Sequence, residues 1–347
     1  MTTSTSRVVL LFVSIAHTFS RRAIRGLLTT IAITGALALS PNIAAAQQPS
    51  PECTDSRQSL ADAWWTGPML ANSAGTLPRG HILVETYFYD VHAGHSNSFG
   101  TRSYVLYGLV DKLTVGFIPI TSFNEESGEP SSSRIGMGDL TLVAQYGLTK
   151  SRDHSWIPAT AINIQQSFPT ASYDHLGDLP NNGFGSGVYT TTLALNSQKL
   201  FWLPNGRILR MRFDISQSFS SGANVQDVSA YGTTGGFRGT ATPGRSSSVD
   251  AAWEYSLTRH WVLALDLTYG HNSNTRVSGY NILDPTSIQN PPSIVMNSGS
   301  SEAFGFAPAI EYNLSSNLGI LLGTRIIPFG HNTAASITPA VAINFVH

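Results

Sequence analysis

From residue 79 to the C-terminus, segments of about ten residues alternate apolar and polar side chains, and loops separate them. Such a period of two places successive side chains on opposite faces of an extended chain. Twelve segments carry it: 80–90, 101–110, 112–120, 137–148, 155–168, 185–198, 206–219, 246–257, 260–270, 301–312, 317–328 and 335–346. None of comparable length has the 3.6-residue apolar period of an amphipathic helix. The connections are sorted by length. Those at 111, 149–154, 199–205, 258–259 and 313–316 are short, and those at 91–100, 121–136, 169–184, 220–245 and 271–300 are long. Only 329–334 breaks the alternation. Up-and-down barrels of the outer membrane have this form, with short turns at one end and long loops at the other. A soluble sandwich has no reason to segregate loop length. The expectation is an all-β, twelve-stranded transmembrane antiparallel barrel over 79–347, closed because lipid cannot satisfy a free sheet edge.

The two faces carry different chemistry. In HWVLALDLTYG (260–270), Trp261, Leu263, Leu265, Leu267 and Tyr269 share one face and Asp266 lies on the other. The apolar face is expected to meet outer-membrane lipid. The opposite face collects Glu85, Arg102, Asp139, Arg210, Arg212, Asp214, Asp250, Glu254, Asp266, Glu311 and Arg325, with many Gly, Ala, Ser and Thr. These charges either line a pore and set its selectivity or interlock and fill a barrel of only twelve strands. Aromatics at strand ends, among them Tyr146, Trp156, Trp261, Tyr312 and Phe345, suit interfacial girdles. All three lysines fall at short turns, away from the bilayer.

The N-terminal part differs. Arg21, Arg22 and Arg25 precede an apolar run from Leu27 to Leu39, and Ala44–Ala46 offers a small-residue cleavage site. Residues 1–46 therefore read as a secretory signal peptide. The run is too short to span a bilayer, which takes about 20 residues. Cleavage removes four arginines and no acids, so 20 basic residues fall to 16 against 21 acidic ones, a net charge of −5. A nucleic-acid partner would call for a basic patch, and there is none. Cys53 is the only cysteine, which excludes an intrachain disulfide. Residues 47–78, which include Trp64 and Trp65, form a leader that either plugs the lumen or packs under the barrel floor.

Several strings resemble one family. YGLVDKLTVGFIPI (107–120), GMGDLTLVAQYGLT (136–149), FPT (168–170) and the leader WWTGPMLANSAGTLPRGH (64–81) are similar to the outer-membrane family labelled "meta-pathway of phenol degradation". The likeness covers about residues 60–347. It implies an outer-membrane barrel associated with uptake of small hydrophobic or aromatic compounds, and it supplies no catalytic residues. The chain's end, TPAVAINFVH, resembles the terminal strand signal read by barrel-assembly machinery, with His347 where an aromatic is usual.

One alternative is enzymatic. His271-Asn272-Ser273-Asn274 has a spacing that resembles outer-membrane acyl hydrolases, in which His271 would be the general base and Ser273 the nucleophile. The sequence identifies no third group to orient the histidine. A third reading is a closed barrel whose outer loops bind a ligand. The histidines show no zinc spacing, the glycine clusters at 136–138 and 183–187 open no helix, and neither metal nor cofactor is expected.

Overall fold

The computed structural model describes residues 57–151, 156–282 and 292–347. The signal peptide and Cys53 lie outside the described residues. The strands are β1 (Ile82–Ala93), β2 (Ser96–Val110), β3 (Leu113–Ile118), β4 (Ile120–Glu126), β5 (Gly136–Met137), β6 (Leu140–Thr149), β7 (Ala159–Phe168), β8 (Thr190–Trp202) and β9 (Ile208–Ser220). They continue with β10 (Ala223–Gln226), β11 (Phe237–Thr242), β12 (Ser246–Ser256), β13 (Trp261–Asn272), β14 (Arg276–Asn281), β15 (Ile294–Asn297), β16 (Ser301–Asn313), β17 (Leu318–His331) and β18 (Ser336–Val346).

The fold is a closed antiparallel barrel of twelve staves. Strand β1 pairs with β2 on one side and with β18 on the other, so no edge remains. Two staves are each broken in two. The β3–β4 stave breaks at Pro119, which has no N–H to give the ladder. Its carbonyl still accepts from Ser103 N at 3.1 Å. The neighbouring β5–β6 stave breaks at Gly138–Asp139, and Gly138 N donates to Ile120 O at 2.9 Å across the interruption. The two faces follow the alternation. Leu263, Leu265 and Leu322 are 44%, 38% and 56% exposed on the outside, whereas Asp266, Glu254 and Glu311 are fully buried inside.

Three expectations need correction. The connection 91–100 is not a long loop. Strands β1 and β2 run on to Ala93 and from Ser96, leaving Gly94–His95 as the turn. Polar residues such as Asp90, His92 and Asn97 continue the ladder beyond the apolar band, and His92 Nδ1 lies 3.0 Å from Asn97 Oδ1. The strand placed at 185–198 runs instead over Thr190–Trp202, because Gly185 and Gly187 belong to the incoming loop. The long connections 220–245 and 271–300 are not plain loops either. They contribute β10, β11, β14 and β15 to a separate four-stranded sheet at the long-loop end. Val225, Phe237, Ala241 and Val277 form its own small core. Strands of four to six residues among glycines and serines fall below the length at which alternation can be recognised.

Candidate functional site: the barrel lumen and the leader within it

The lumen divides into two halves. Towards the long-loop end its wall carries small hydroxyl side chains in cross-strand pairs: Thr141 with Ser167 at 2.6 Å, Thr192 with Ser218 at 2.8 Å, and Ser216 with Ser248 at 2.7 Å. Towards the short-turn end the wall is charged and the leader fills it. The chain enters beside the turn after β8, where Gln58 N donates to Gly206 O at 2.8 Å. It climbs to an apex at Met69–Asn72 and descends to Leu77, whose N–H meets Thr114 Oγ1 at 2.8 Å, before β1 begins.

The wall holds this segment mainly by its backbone. Glu311 accepts from Thr66 N at 2.7 Å and Gly67 N at 3.2 Å. Asp266 accepts from Met69 N at 3.0 Å, Leu70 N at 3.3 Å and Ala71 N at 2.9 Å. Asp214 accepts from Asn72 N at 2.5 Å. Arg212 Nη1 donates to Ala71 O at 2.9 Å, and Gln145 Nε2 donates to Ser73 O and Gly75 O at 3.0 and 2.8 Å. A segment without regular structure cannot satisfy its own amides, and buried ones must be paired. The carboxylates supply the acceptors.

Space for the leader comes from small residues on the wall. Met69 packs on Ala307, Leu321, Ala340 and Ala342. Gly319 is required: a Cβ there would collide with the Thr66 hydroxyl. Gly319→Val is therefore expected to push Thr66 off the wall and make residues 60–66 more sensitive to limited proteolysis, while heat-modifiable gel mobility persists. Unchanged cleavage would mean that the leader does not pass so close.

The remaining charges sort by contact. Arg210 grips Glu254 through two nitrogens, one of them at 2.6 Å, and Arg212 Nε reaches the same carboxylate at 3.0 Å. The Arg210 guanidinium also lies 4.5 Å from the Trp65 ring, so the leader covers it. Glu85 accepts from Tyr87 Oη at 3.3 Å and stands opposite Asn344. Arg102 stands opposite Tyr87, and Arg325 opposite Thr338. Asp250 faces Asp214 across the strands. Asp139 lies in the break between β5 and β6 rather than in a strand, and it grips the loop after β7. It accepts from Ala171 N at 3.1 Å and from Ser186 N and Oγ at 2.8 and 2.6 Å.

That loop, 169–189, is pinned from both sides at the long-loop end. Ser132 Oγ donates to Asn181 O at 2.6 Å. Tyr231 Oη donates to Ser186 O at 2.5 Å, and burial pushes this phenol up to about 12. Asp227 pairs with Arg238 at 3.0 Å, and the hydrogen bond from that arginine holds its carboxyl below the usual range. A depressed carboxyl stabilises the fold above its unfolded pKa, and the contribution is lost as pH falls through the folded value. This tie therefore holds at neutral pH and weakens only in acid.

His271 points outward, in line with Tyr269 and Leu267, and its Nδ1 is 3.5 Å from Glu302 Oε1 on β16. A carboxylate within ion-pair distance of His271 thus stands on a neighbouring strand. Ser273 lies past the end of β13 and makes no hydrogen bond to His271; its backbone N–H donates to Arg245 O at 2.8 Å. Among the described residues, no three His, Cys, Asp or Glu side chains cluster as metal ligands. Sequence reasoning missed Gln145, Gln198 and Asn313, the neutral residues that share the leader's grip, and Asn196, which bonds to Gln145 behind them. Their signal was polarity on the non-lipid face inside a strand.

A closed barrel with an apolar outer band and a lumenal leader is the architecture of bacterial outer-membrane barrel proteins. The chain belongs to the family described as putative MetA-pathway of phenol degradation, whose model matches residues 67–327. It is similar in fold to an outer membrane channel from Pseudomonas putida F1, at 15% identity and a TM-score of 0.57, over 80% of this chain and 100% of the other. A toluene transporter of Pseudomonas putida aligns at 10% identity over 82% and 95% of the two chains, with a TM-score of only 0.38, and nothing below rests on it. No curated protein sequence matches the chain.

Proposed function

We propose that the protein is a channel of the bacterial outer membrane for small hydrophobic or aromatic solutes, closed on its periplasmic side by residues 57–78. The family supports the solute class, since its description names phenol degradation. One observation carries the channel reading: a separable stretch of chain blocks the lower lumen, whereas wall side chains alone would do so in a purely structural barrel. Beneath the leader's descending limb lies a cavity of about 1070 Å³ that reaches Asp111, Lys112 and Lys150 at the short turns. Outer-membrane barrels put short turns in the periplasm, so this cavity opens there. Lipid is the outer face's partner, and four of the lumen's charged groups, Arg212, Asp214, Asp266 and Glu311, anchor the leader.

The test is flux into proteoliposomes that hold the refolded mature protein, with phenol-like solutes compared to sugars of similar size. Selective entry of the phenol-like solutes is expected. Flux no greater than in empty liposomes, for both the intact chain and a chain lacking residues 57–77, would leave a closed barrel. The hydrolase reading has the His271–Glu302 contact in its favour, but Ser273, the nucleophile it names, makes no hydrogen bond to His271. Ser273→Ala is expected to leave flux unchanged, and lipid hydrolysis that disappears in this variant would reverse the order of the two readings.

A further inference from the structure

The outward face of β8, β9, β12 and β13 carries a groove of about 470 Å³ near the long-loop end. Leu193 and Leu195 wall it on one side and Tyr269 on the other, all three exposed. Register pairs join the two sides: Leu195 stands opposite Ile215, Ile215 opposite Val249, and Val249 opposite Tyr269. The bed is low because Val249 and Ser247 are short and Gln217 lies down on the wall, its Nε2 donating to Ser246 O at 2.9 Å.

Along the strands the groove changes chemistry in three steps. Arg245, just before β12, lies at the rim with its guanidinium 5.5 Å from the Phe219 ring. Two residues further in, Ser247 stands opposite Gln217, and two further still Val249 stands opposite Ile215. Cation, polar pair and hydrocarbon thus follow one another over about 13 Å of strand. Arg245 makes no ion pair among the described residues. Glu302, an acid at the height of Ser247, stands two staves away, 3.5 Å from His271. The polar pair has spent its donors inside the wall. Ser247 Oγ donates to Gln217 Oε1 at 2.7 Å, and Gln217 Nε2 donates to Ser246 O and, at 3.3 Å, to Ser218 O. What remains towards the membrane is acceptor lone pairs, and hydrocarbon has no donor for them. A fitting lipid carries a phosphate for Arg245, N–H or O–H donors one step deeper, and then acyl chains. Glycerophospholipids have only ester oxygens at that depth. Lipid A, the anchor of lipopolysaccharide, has amide N–H groups and hydroxyls there.

We propose that this groove is a lipid A site. Arg245 pairs with a phosphate, Ser247 Oγ and Gln217 Oε1 accept from an amide or hydroxyl of the lipid, and one acyl chain lies over Ile215 and Val249 between Leu195 and Tyr269. The site rests on the outer-membrane placement proposed above, in which the long loops lie outside and the groove faces the outer leaflet. It does not rest on solute passage.

The experiment is native mass spectrometry of the refolded mature protein in detergent, titrated with lipid A and, separately, with phosphatidylglycerol. One retained lipid A per barrel is expected, with phosphatidylglycerol at least about tenfold weaker. Arg245→Ala should weaken lipid A binding about tenfold, the loss of one charge-assisted contact. Val249→Trp fills the bed while staying apolar, and should abolish retention. Leu322→Trp, exposed on β17 away from the groove, should bind as the unaltered protein does. Heat-modifiable mobility shows which variants are folded, and Arg245→Ala, outside the strand, serves if Val249→Trp is not. Three results each overturn the proposal: no lipid A retained by the unaltered protein, undiminished retention by the folded groove variants, or phosphatidylglycerol bound as tightly as lipid A. Lipid retention does not register solute flux, so this proposal and the channel reading fail separately.

Discussion

Glu254→Ala is expected to destabilise the barrel by about 3–5 kcal/mol, the usual cost of removing one partner from a buried ion pair. Glu254 is fully buried and is the one carboxylate bonded to both Arg210 and Arg212. Without it two guanidinium groups remain in a desolvated wall. Asp214, the neighbouring acid, has one oxygen occupied by the leader and makes no bond to either arginine. The readout is urea unfolding in lipid vesicles followed by tryptophan fluorescence, which also reports Trp65 over Arg210. Replacing all three members together, with Glu254→Met, Arg210→Leu and Arg212→Met, should cost much less, because apolar groups of similar volume leave no charge stranded. A loss below about 1 kcal/mol in Glu254→Ala would place the cluster in water, where ion pairs contribute little.

The wall was legible in the sequence and the traffic inside it was not. Alternation works because lipid imposes one rule on every outward residue, so Leu263, Leu265 and Ile343 announce their face one by one. The same rule placed Asp214, Asp250, Glu254, Asp266 and Glu311 in the lumen. Their partners were hidden, because register pairs such as Asp250 with Thr268 join residues 18 apart and leader contacts such as Thr66 with Glu311 join residues 245 apart. For the leader the sequence offered a lumenal plug or a segment under the barrel floor, without deciding between them. Its own sequence has no period, and its acceptors are supplied from elsewhere in the chain. Asp139 misled for a related reason. Its place in GMGD looks like the start of a strand, but the flanking glycines break the stave and turn the carboxylate to the loop. His271 and Ser273 share a face on paper, yet the strand ends between them.

Asp266→Ala should loosen the leader more than any other single change in the lumen. Three consecutive amides, of Met69, Leu70 and Ala71, end on this one carboxylate. Hydrogen bonds to a charged group are worth about 1.5–3 kcal/mol each, and a buried donor left without an acceptor adds a further penalty. Some of that returns as water enters and the apex relaxes. A net loss of about 3 kcal/mol is a reasonable expectation, and it shifts the held-to-released ratio of the leader by roughly two orders of magnitude. The wall itself should survive, since Asp266 has no ion-pair partner to strand. Two measurements check this. Protease added to the periplasmic side should cut within residues 60–77 far faster than in the unaltered protein. Flux of sugar-sized solutes should rise towards that of a chain from which residues 57–77 are deleted. Asp266→Asn, which keeps one acceptor oxygen, should fall between the two. If the leader is released but sugar flux stays at the level of empty liposomes, the leader is a brace and not a gate, and the constriction must be sought in the wall or beneath the pinned outer loop. If both rise together, the lumenal carboxylates are what keep the channel shut.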